Sequence, residues 1–470
     1  MPFDSLRAFL EKLRDEGQLL RIPEEVRPEP DISAAACAAA RSPSGPALLF
    51  EKIQGYGDAR IAMNVHGSEE NHALMLDLPK NTGFKAQFHE LVRRFERYPI
   101  PAKRVSDAPV KEVIIDKNPS LYRELPLFRV NPWDGGFYLS KACVVSRDPE
   151  IPGNQNVGMY RVQVKDHDRI GLQIGPQHDL AVHLRKAEEL NVPLRVAIAV
   201  SNEPVTSLVA STPLRFHEDE YSMIGAVRGE PAQVIPSERG NLDVPAGAEL
   251  VIEGEILPRK RFVEGPFAEF TGYYSGCFLQ TEVQVDTITR RRDPIVFENL
   301  YTGKPWTEID YMMALSTGVA PYQQMKPDFP EIEAINAMYT HGYATIISSR
   351  MRFAGFAKTL GMRLLSTPHG IVYPKFIIVV DEDIDPFNLQ EVMWAITVRF
   401  RPERDLIVIP NAPGSMLDPT SSIRGITTKI IIDATKPVSP DIGLADGVQV
   451  DIPPETAYWL DQISKRRRNG

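Results

Sequence analysis

Cysteine is scarce in this chain, and the three residues present, Cys37, Cys143 and Cys277, lie far apart. An odd, scattered set excludes a disulfide framework and a zinc knuckle, and it fits a reducing cytoplasm. Long apolar runs are missing as well. No stretch of about 18 apolar residues occurs, and the start M-P-F-D-S-L-R-A-F-L lacks the basic end and apolar centre of an export signal. The expectation is a soluble cytoplasmic protein with no membrane association. Positive charge is not in excess: 53 Lys and Arg against 62 Asp and Glu leave a net charge of -9, which argues against a nucleic-acid partner. The short basic runs Arg290–Arg292 and Lys465–Arg468 read as solvated charge. Also absent are G-x-G-x-x-G, a Walker loop, a G-x-S-x-G elbow and HExxH, which removes the common nucleotide, hydrolase and zinc-protease signatures. There is no internal repeat and no low-complexity tract.

What is present is globular material. With 470 residues, 43% hydrophobic and 24% charged, the chain suits roughly two to four domains with large cores. Asp4 or Ser5 caps an amphipathic helix carrying Leu6, Phe9, Leu10 and Leu13, which ends at Gly17. Strands at 47–50, 60–65 and 113–115 alternate with helices at 32–41 and 87–98, giving a small α/β unit over residues 1–115. From 116 to 310 strand-like runs dominate (157–164, 194–200, 250–256, 281–288), separated by Pro and Gly turns, so this part reads as sheet or barrel. In 320–470 helical patterns at 332–338 and 389–400 alternate with apolar strands at 376–380, 406–409 and 429–432. That is the texture of a mixed or parallel sheet covered by helices.

The run V-E-G-P-F-A-E-F places Glu264 and Glu269 on either side of Gly265 and Pro266, which forbid a helix or a flat strand interior. Five apart on a straight strand, the two carboxylates would face opposite ways, so only a bend at Gly-Pro brings them together. Converging carboxylates need a cation or a shared proton. A paired arginine keeps one ionised, while an apolar wall of Phe262, Phe267 and Phe270 raises the other towards a general acid. A second group, Asn156, His178 and Glu220, offers oxygen and nitrogen without thiolate, which favours Mg²⁺ or Mn²⁺ over zinc. The H-E-D-E run at 217–220 also reads as a solvated acidic loop. Asp381, Asp383 and Asp385 imitate an EF-hand start, but Pro386 stands where Gly is needed, so this is a post-strand loop. Lys375, just before an apolar strand, reads as a phosphate anchor or a snorkelling surface lysine.

Taken together, P-E-P-D-I, N-V-H-G-S, D-G-G-F-Y, N-V-G-M-Y-R, P-Q-H-D, A-S-T-P, D-E-Y, E-G-P-F-A-E-F-T-G-Y-Y-S-G, P-W-T-E-I-D-Y, N-A-M-Y-T-H-G, L-S-T-P-H-G, I-D-P-F-N-L and T-K-I-I-I-D-A-T span nearly the whole chain. In this order they resemble the UbiD-like family of reversible decarboxylases that use prenylated FMN. Within it the chain is most similar to the phenolic-acid branch acting on 4-hydroxybenzoate and vanillate.

The resemblance implies an α/β (α+β) fold, with a central split β-barrel that binds flavin, a small N-terminal α/β unit and a C-terminal α/β oligomerisation domain. It implies catalytic roles for Arg161, Glu264 and Glu269, and a divalent metal on Asn156, His178 and Glu220 with K⁺ or Na⁺ nearby. Met159, Tyr160, Gln177, Ala210, Ser211 and Thr212 would line the flavin, and Lys375 would reach its phosphate. The implied partners are an aromatic acid, CO₂, a flavin prenyltransferase that supplies the cofactor, and further copies of the chain in a dimer or hexamer. Protocatechuate, gallate or a heteroaromatic acid are alternative substrates, and a split-barrel flavin oxidoreductase is the alternative activity. Tyr301, Trp306, Ile309, Tyr339 and His341 are pocket candidates, each equally readable as core. One departure from the family pattern is the Arg-rich end of the chain, which does not match the usual C-terminal helix.

Overall fold

The computed structural model describes residues 3–468 apart from 241, 305, 340, 439–449 and 451. The first helix, Leu6–Asp15, begins where Ser5 Oγ accepts the Ala8 N–H, and it buries Leu6, Phe9, Leu10 and Leu13 on one face. Its neighbour is a four-stranded sheet in the order Leu19–Val26, Ala47–Ile53, Arg60–Met63 and Val296–Glu298. The fourth strand therefore arrives from much later in the chain. Val113–Ile115 lies outside this sheet and pairs instead with Phe278–Arg290.

The middle of the chain builds a closed ring of six strands. Its order is Leu250–Glu264, Leu194–Val200, Phe137–Arg147, Gln155–Val164, Arg169–Leu172 and Phe278–Arg290, and the last pairs back onto the first. Closure leaves no free edge within the ring. Leu139, Val144, Val162, Ile198, Ile252 and Val283 fill one of the two large cores, and the other joins the N-terminal helix to the later helices. The long strand Leu250–Glu264 supplies the turn that carries both glutamates.

Beyond residue 310, a five-stranded mixed sheet runs Ile332–Tyr339, Ala344–Ser349, Phe376–Val380, Ile426–Ala434, Leu406–Pro413, with the central three parallel. The segment 332–338 is thus a strand and not the expected helix. Its apolar residues also fit a helical spacing, but both faces are buried and it pairs with Ala344–Ser349, so burial overrides the period. Helix Phe356–Leu364 covers one side of this sheet through Leu360 and Leu364, and Leu389–Arg399 covers the other through Val392 and Ala395. The acidic D-E-D-I-D segment is a post-strand loop whose Asp381 and Asp383 hold Arg399. The Arg-rich end, expected not to match the family's usual C-terminal helix, is helical over Thr456–Arg468. Among the described residues, no helix is long and apolar enough to cross a membrane.

A single buried cluster joins these parts. Lys141 on the ring sends its ammonium to Glu298 Oε1 at 2.5 Å, Glu308 Oε1 at 2.6 Å and His66 Nδ1 at 2.8 Å. The three partners come from the N-terminal unit, its late fourth strand, and the first turn of helix Glu308–Met325. Burial works against the charge on both carboxylates; Lys141 and His66 nevertheless hold Glu308 low, while Glu298 is pushed up. Replacing the cation should be costly. Lys141→Met is expected to lower stability by about 3–5 kcal/mol, because it strands two buried carboxylates. Urea unfolding followed by circular dichroism measures this, and a loss under about 1 kcal/mol would show that the cluster does not hold the units together.

Candidate active site

The strand Gln155–Val164 carries N-V-G-M-Y-R, and its ring neighbour Phe137–Arg147 opposes it with one residue too many. Leu139 pairs with Val162 and Ala142 with Tyr160, so Ser140 and Lys141 together face Arg161. A bulge of this kind bends the strand and re-aims side chains. Asn156 and Arg161 would sit on opposite faces of a straight strand, yet both line one cavity of about 260 Å³. Ser140 lines it too, whereas Lys141 goes to the buried cluster.

Arg161 is gripped from two sides. Its Nε donates to Glu264 Oε1 at 3.0 Å, Nη2 donates to Glu264 Oε2 at 2.7 Å, and Nη1 donates to Glu269 Oε1. All three residues are buried. The Tyr138 hydroxyl donates to Glu264 Oε1 at 3.1 Å, and the guanidinium lies over the Phe267 ring at 5.5 Å. Glu264 sits behind the arginine, off the cavity surface, while Glu269 reaches the cavity. Burial pushes the Glu269 carboxyl above the ordinary carboxylate range, against the pull of Arg161.

The convergence depends on the Gly-Pro turn. The strand stops at Glu264, and Gly265 takes φ +98° in a space where a Cβ would lie 2.4 Å from the Gly276 carbonyl oxygen. Only glycine fits there. Asp134 then catches the returning loop, accepting the Ala268 N–H at 2.9 Å and the Asn131 N–H at 2.8 Å. Burial raises Asp134 to about 6. The expected apolar wall is made by Phe267 and Phe270; Phe262 lies outside the cavity lining, with the Lys165 ammonium over its ring.

On the same cavity, Asn156 Nδ2 donates to Glu220 Oε1 at 3.0 Å and the Val157 N–H donates to Oε2 at 3.0 Å. Asn156 Oδ1 and His178 Nδ1 are buried without a hydrogen-bond partner. Glu220 is buried, not part of a solvated loop, and burial raises its carboxyl to about 8; His178 is lowered to about 4 for the same reason. An orphaned oxygen, an orphaned imidazole nitrogen and a carboxylate short of a counter-charge form a donor set that fits a hard cation. Gly158 makes the adjoining surface flat, since a Cβ there would meet the Tyr160 ring at 2.6 Å. Met159, Tyr160, Gln177, Ala210, Ser211 and Thr212 line the same cavity. With the flat surface at Gly158, these residues fit a planar cofactor. His66, Glu298 and Glu308 also have the spacing of a metal site, but the Lys141 ammonium stands among them.

Lys375 is placed elsewhere. Its ammonium pairs with Asp418 at 2.9 Å and Thr420 at 2.7 Å, and it is not among the cavity-lining residues. Of the pocket candidates, Ile309 and His341 reach the cavity. Trp306 and Tyr339 instead pack edge-on against each other at 5.4 Å, and Tyr301 packs against the core. Sequence reasoning gave no role to Tyr138 and Asp134, which D-G-G-F-Y contains, or to His369 of L-S-T-P-H-G and Tyr373.

The chain is similar to known proteins along nearly its whole length. The chain matches profiles of the 3-octaprenyl-4-hydroxybenzoate carboxy-lyase N-terminal domain over residues 10–91, Rift-related domain over 103–305 and C-terminal domain over 310–434. It is 52% identical over 475 residues to a phenolic acid decarboxylase of Sedimentibacter hydroxybenzoicus, covering 99% of this chain and 98% of that one. The solved closed form of that organism's vanillic acid decarboxylase superposes with a TM-score of 0.94 at 52% identity, covering 99% of both chains. The UbiD-class enzyme HmfF from Pelotomaculum thermopropionicum, in complex with FMN, gives 0.84 at 31% identity over 97% of this chain and 99% of that one. Its evolved dimeric form in complex with prFMN gives 0.80 at 30% identity, covering 97% and 98%.

Glu220 makes the site's electrostatics measurable. Its folded pKa is raised, from 4.5 to about 8, so its contribution to stability is complete below the unfolded value and is lost as pH rises through about 8. Without divalent metal, the unfolding midpoint should therefore fall between about pH 5 and pH 8.5, and Mn²⁺ should restore most at the alkaline end. Glu220→Gln should flatten that fall. A variant with the wild-type slope would take Glu220 out of this role.

Proposed function

The chain belongs to the UbiD family of carboxy-lyases, and from that premise we propose that it reversibly and non-oxidatively decarboxylates an aromatic acid with prenylated FMN. Hydroxylated benzoates such as 4-hydroxybenzoate and vanillate lead the substrate list, followed by protocatechuate, gallate and heteroaromatic acids. The observation that carries the reading is Arg161, held by two carboxylates on the wall of the cavity that also contains Asn156, His178 and Glu220.

When bound, prenylated FMN supplies the electron sink that an aryl acid lacks, because the charge left by departing CO₂ lies in an sp² orbital outside the ring's π system. The chain's own residues do the rest. A guanidinium has five N–H donors, and three point at Glu264 and Glu269, so two remain to hold the substrate carboxylate. Glu264 fixes the orientation of Arg161 and is itself fixed by Tyr138. Glu269, raised by burial, keeps a proton close to the ring carbon and delivers it once CO₂ has gone. Phe267 and Phe270 keep water from competing.

Asn156, His178 and Glu220 would hold Mn²⁺ or Mg²⁺ against the cofactor phosphate, with K⁺ or Na⁺ close by. Lys375, paired with Asp418 and Thr420 in this structure, would have to leave them to hold the phosphate. In this reading residues 1–115 form the N-terminal unit, 116–310 the flavin-binding split barrel, and 320–470 the oligomerisation domain. A flavin prenyltransferase in the same cytoplasm supplies the cofactor.

The second half of the reading concerns assembly. Leu389, Met393, Trp394 and Val398 expose an apolar face on one helix, and Tyr458, Trp459, Leu460 and Ile463 do so on another. Both lie beyond residue 320, so a homo-oligomer, dimer or hexamer, should bury them. Light scattering at micromolar concentration should give a multiple of 52.6 kDa; a stable monomer would contradict the assignment.

The chemistry is tested at Glu269. Glu269→Gln keeps shape and hydrogen bonding but has no proton to give, so turnover should fall roughly 10²- to 10⁴-fold while flavin and substrate still bind. Glu264→Gln should weaken substrate binding as well, through Arg161. In D₂O the wild type should exchange deuterium into the product at the ring carbon that bore the carboxylate. Exchange at the wild-type rate in Glu269→Gln would remove it as the acid.

A further inference from the structure

Ala268 precedes Glu269 in the Gly-Pro turn, and it is held through both of its backbone groups. Its N–H donates to Asp134 Oδ1 at 2.9 Å, and its carbonyl oxygen accepts the Thr302 hydroxyl at 2.6 Å. The two holders are themselves joined. Asn131 Nδ2 donates to the Thr302 carbonyl at 2.9 Å, and the Asn131 N–H donates to Asp134 Oδ2 at 2.8 Å. These contacts close a ring through three separate segments of the chain, and Asp134, Ala268 and Thr302 are all buried.

The ring acts next to one carboxylate and not the other. The Ala268 carbonyl lies in the planar peptide that leads into Glu269, so the Thr302 bond fixes the plane that ends at the Glu269 Cα. The Glu269 N–H, in the same plane, donates to the Tyr273 carbonyl at 2.9 Å. Glu264 is placed by different contacts, those of Arg161 and Tyr138. Burial opposes a charge on Asp134, yet a carboxylate suits the place because each of its oxygens accepts a backbone N–H. An amide there would turn a donor towards one of them.

We propose that Asp134 and Thr302 are positioning residues that set Glu269 for proton delivery, while the grip of Arg161 on the substrate carboxylate does not depend on them. This rests on the reading above in which Glu269 is the acid, and it adds the residues that aim it. Transfer from a carboxyl to a ring carbon depends steeply on reach, and a misplacement of about 1 Å can cost about a hundredfold in rate.

The test uses the flavin-loaded enzyme with 4-hydroxybenzoate and vanillate. Two quantities are read: deuterium exchange from D₂O into the product at the ring carbon that bore the carboxylate, and binding of the acid by flavin fluorescence. Asp134→Asn sets a donor against a backbone N–H, and Thr302→Val leaves the Ala268 carbonyl without its hydroxyl. Each should slow exchange about tenfold to a hundredfold and change the binding constant by less than about threefold. Thr302→Ser, which keeps the hydroxyl, should recover most of the rate. In a Glu269→Gln background, where no proton is left to aim, adding either change should slow the residual exchange by less than about threefold.

Wild-type exchange in both single variants would overturn the proposal, as would binding lost in step with exchange, or the full loss repeated in the Glu269→Gln background. Where only one of the two variants folds, it decides the matter together with Thr302→Ser. Failure of both to fold would make the ring a folding element and also overturn the proposal. Exchange at the wild-type rate in Glu269→Gln alone would instead remove the acid, and no exchange by the wild type with either acid would remove the phenolic-acid reading; this inference falls with each.

Discussion

One guanidinium between two buried carboxylates sets the terms for the rest of the site. The trio carries a net negative charge when both glutamates are ionised, in a place where burial opposes any charge. Arg161 grips Glu264 through two nitrogens and Glu269 through one, so the two acids are not equivalent. The bidentate partner is further supported by the Tyr138 hydroxyl. The singly held partner faces the cavity with its proton affinity raised by burial. A difference in hydrogen bonding, not in residue type, thus separates the two carboxylates, and it supports the proposed division into holder and acid.

The same arithmetic recurs elsewhere in the fold. At Lys141 two buried glutamates again share a cation, with neutral His66 beside them, and none of the four lines the cavity that holds Arg161. At Glu220 no cation pairs with the carboxylate among the described residues, and an oxygen and a nitrogen stand without partners on the same cavity. The first cluster is complete and ties units together. The second would be completed by the cation proposed for it.

Much of this could be read from residues near each other in sequence. Gly265 and Pro266 between two glutamates demanded a turn, and the turn brings both to Arg161. The strands at 194–200, 376–380 and 429–432 were visible as short apolar runs, and N-V-G-M-Y-R, P-Q-H-D and A-S-T-P together carried the resemblance that led to the cavity. Other features were not legible, for reasons that are physical. The segment 332–338 has apolar residues that suit either period, and only its partner strand decides. Lys375 looked free because Asp418, its partner, lies 43 positions away. His66 and Glu308 meet across 242 positions, a distance over which sequence spacing says nothing. The bulge opposite Arg161 was equally hidden, since it is a property of two strands in register.

That bulge also has a consequence for how the gene can vary. Because Leu139 lies opposite Val162 and Ala142 opposite Tyr160, deleting Ser140 or Lys141 would leave one residue facing Arg161 and a regular ladder on both sides. Register would survive, and Tyr138 would keep its place beside Glu264. What would be lost is one of two side chains at that position, either Ser140 on the cavity wall or Lys141, the cation of the buried cluster. The extra residue lets one place in the ladder serve both.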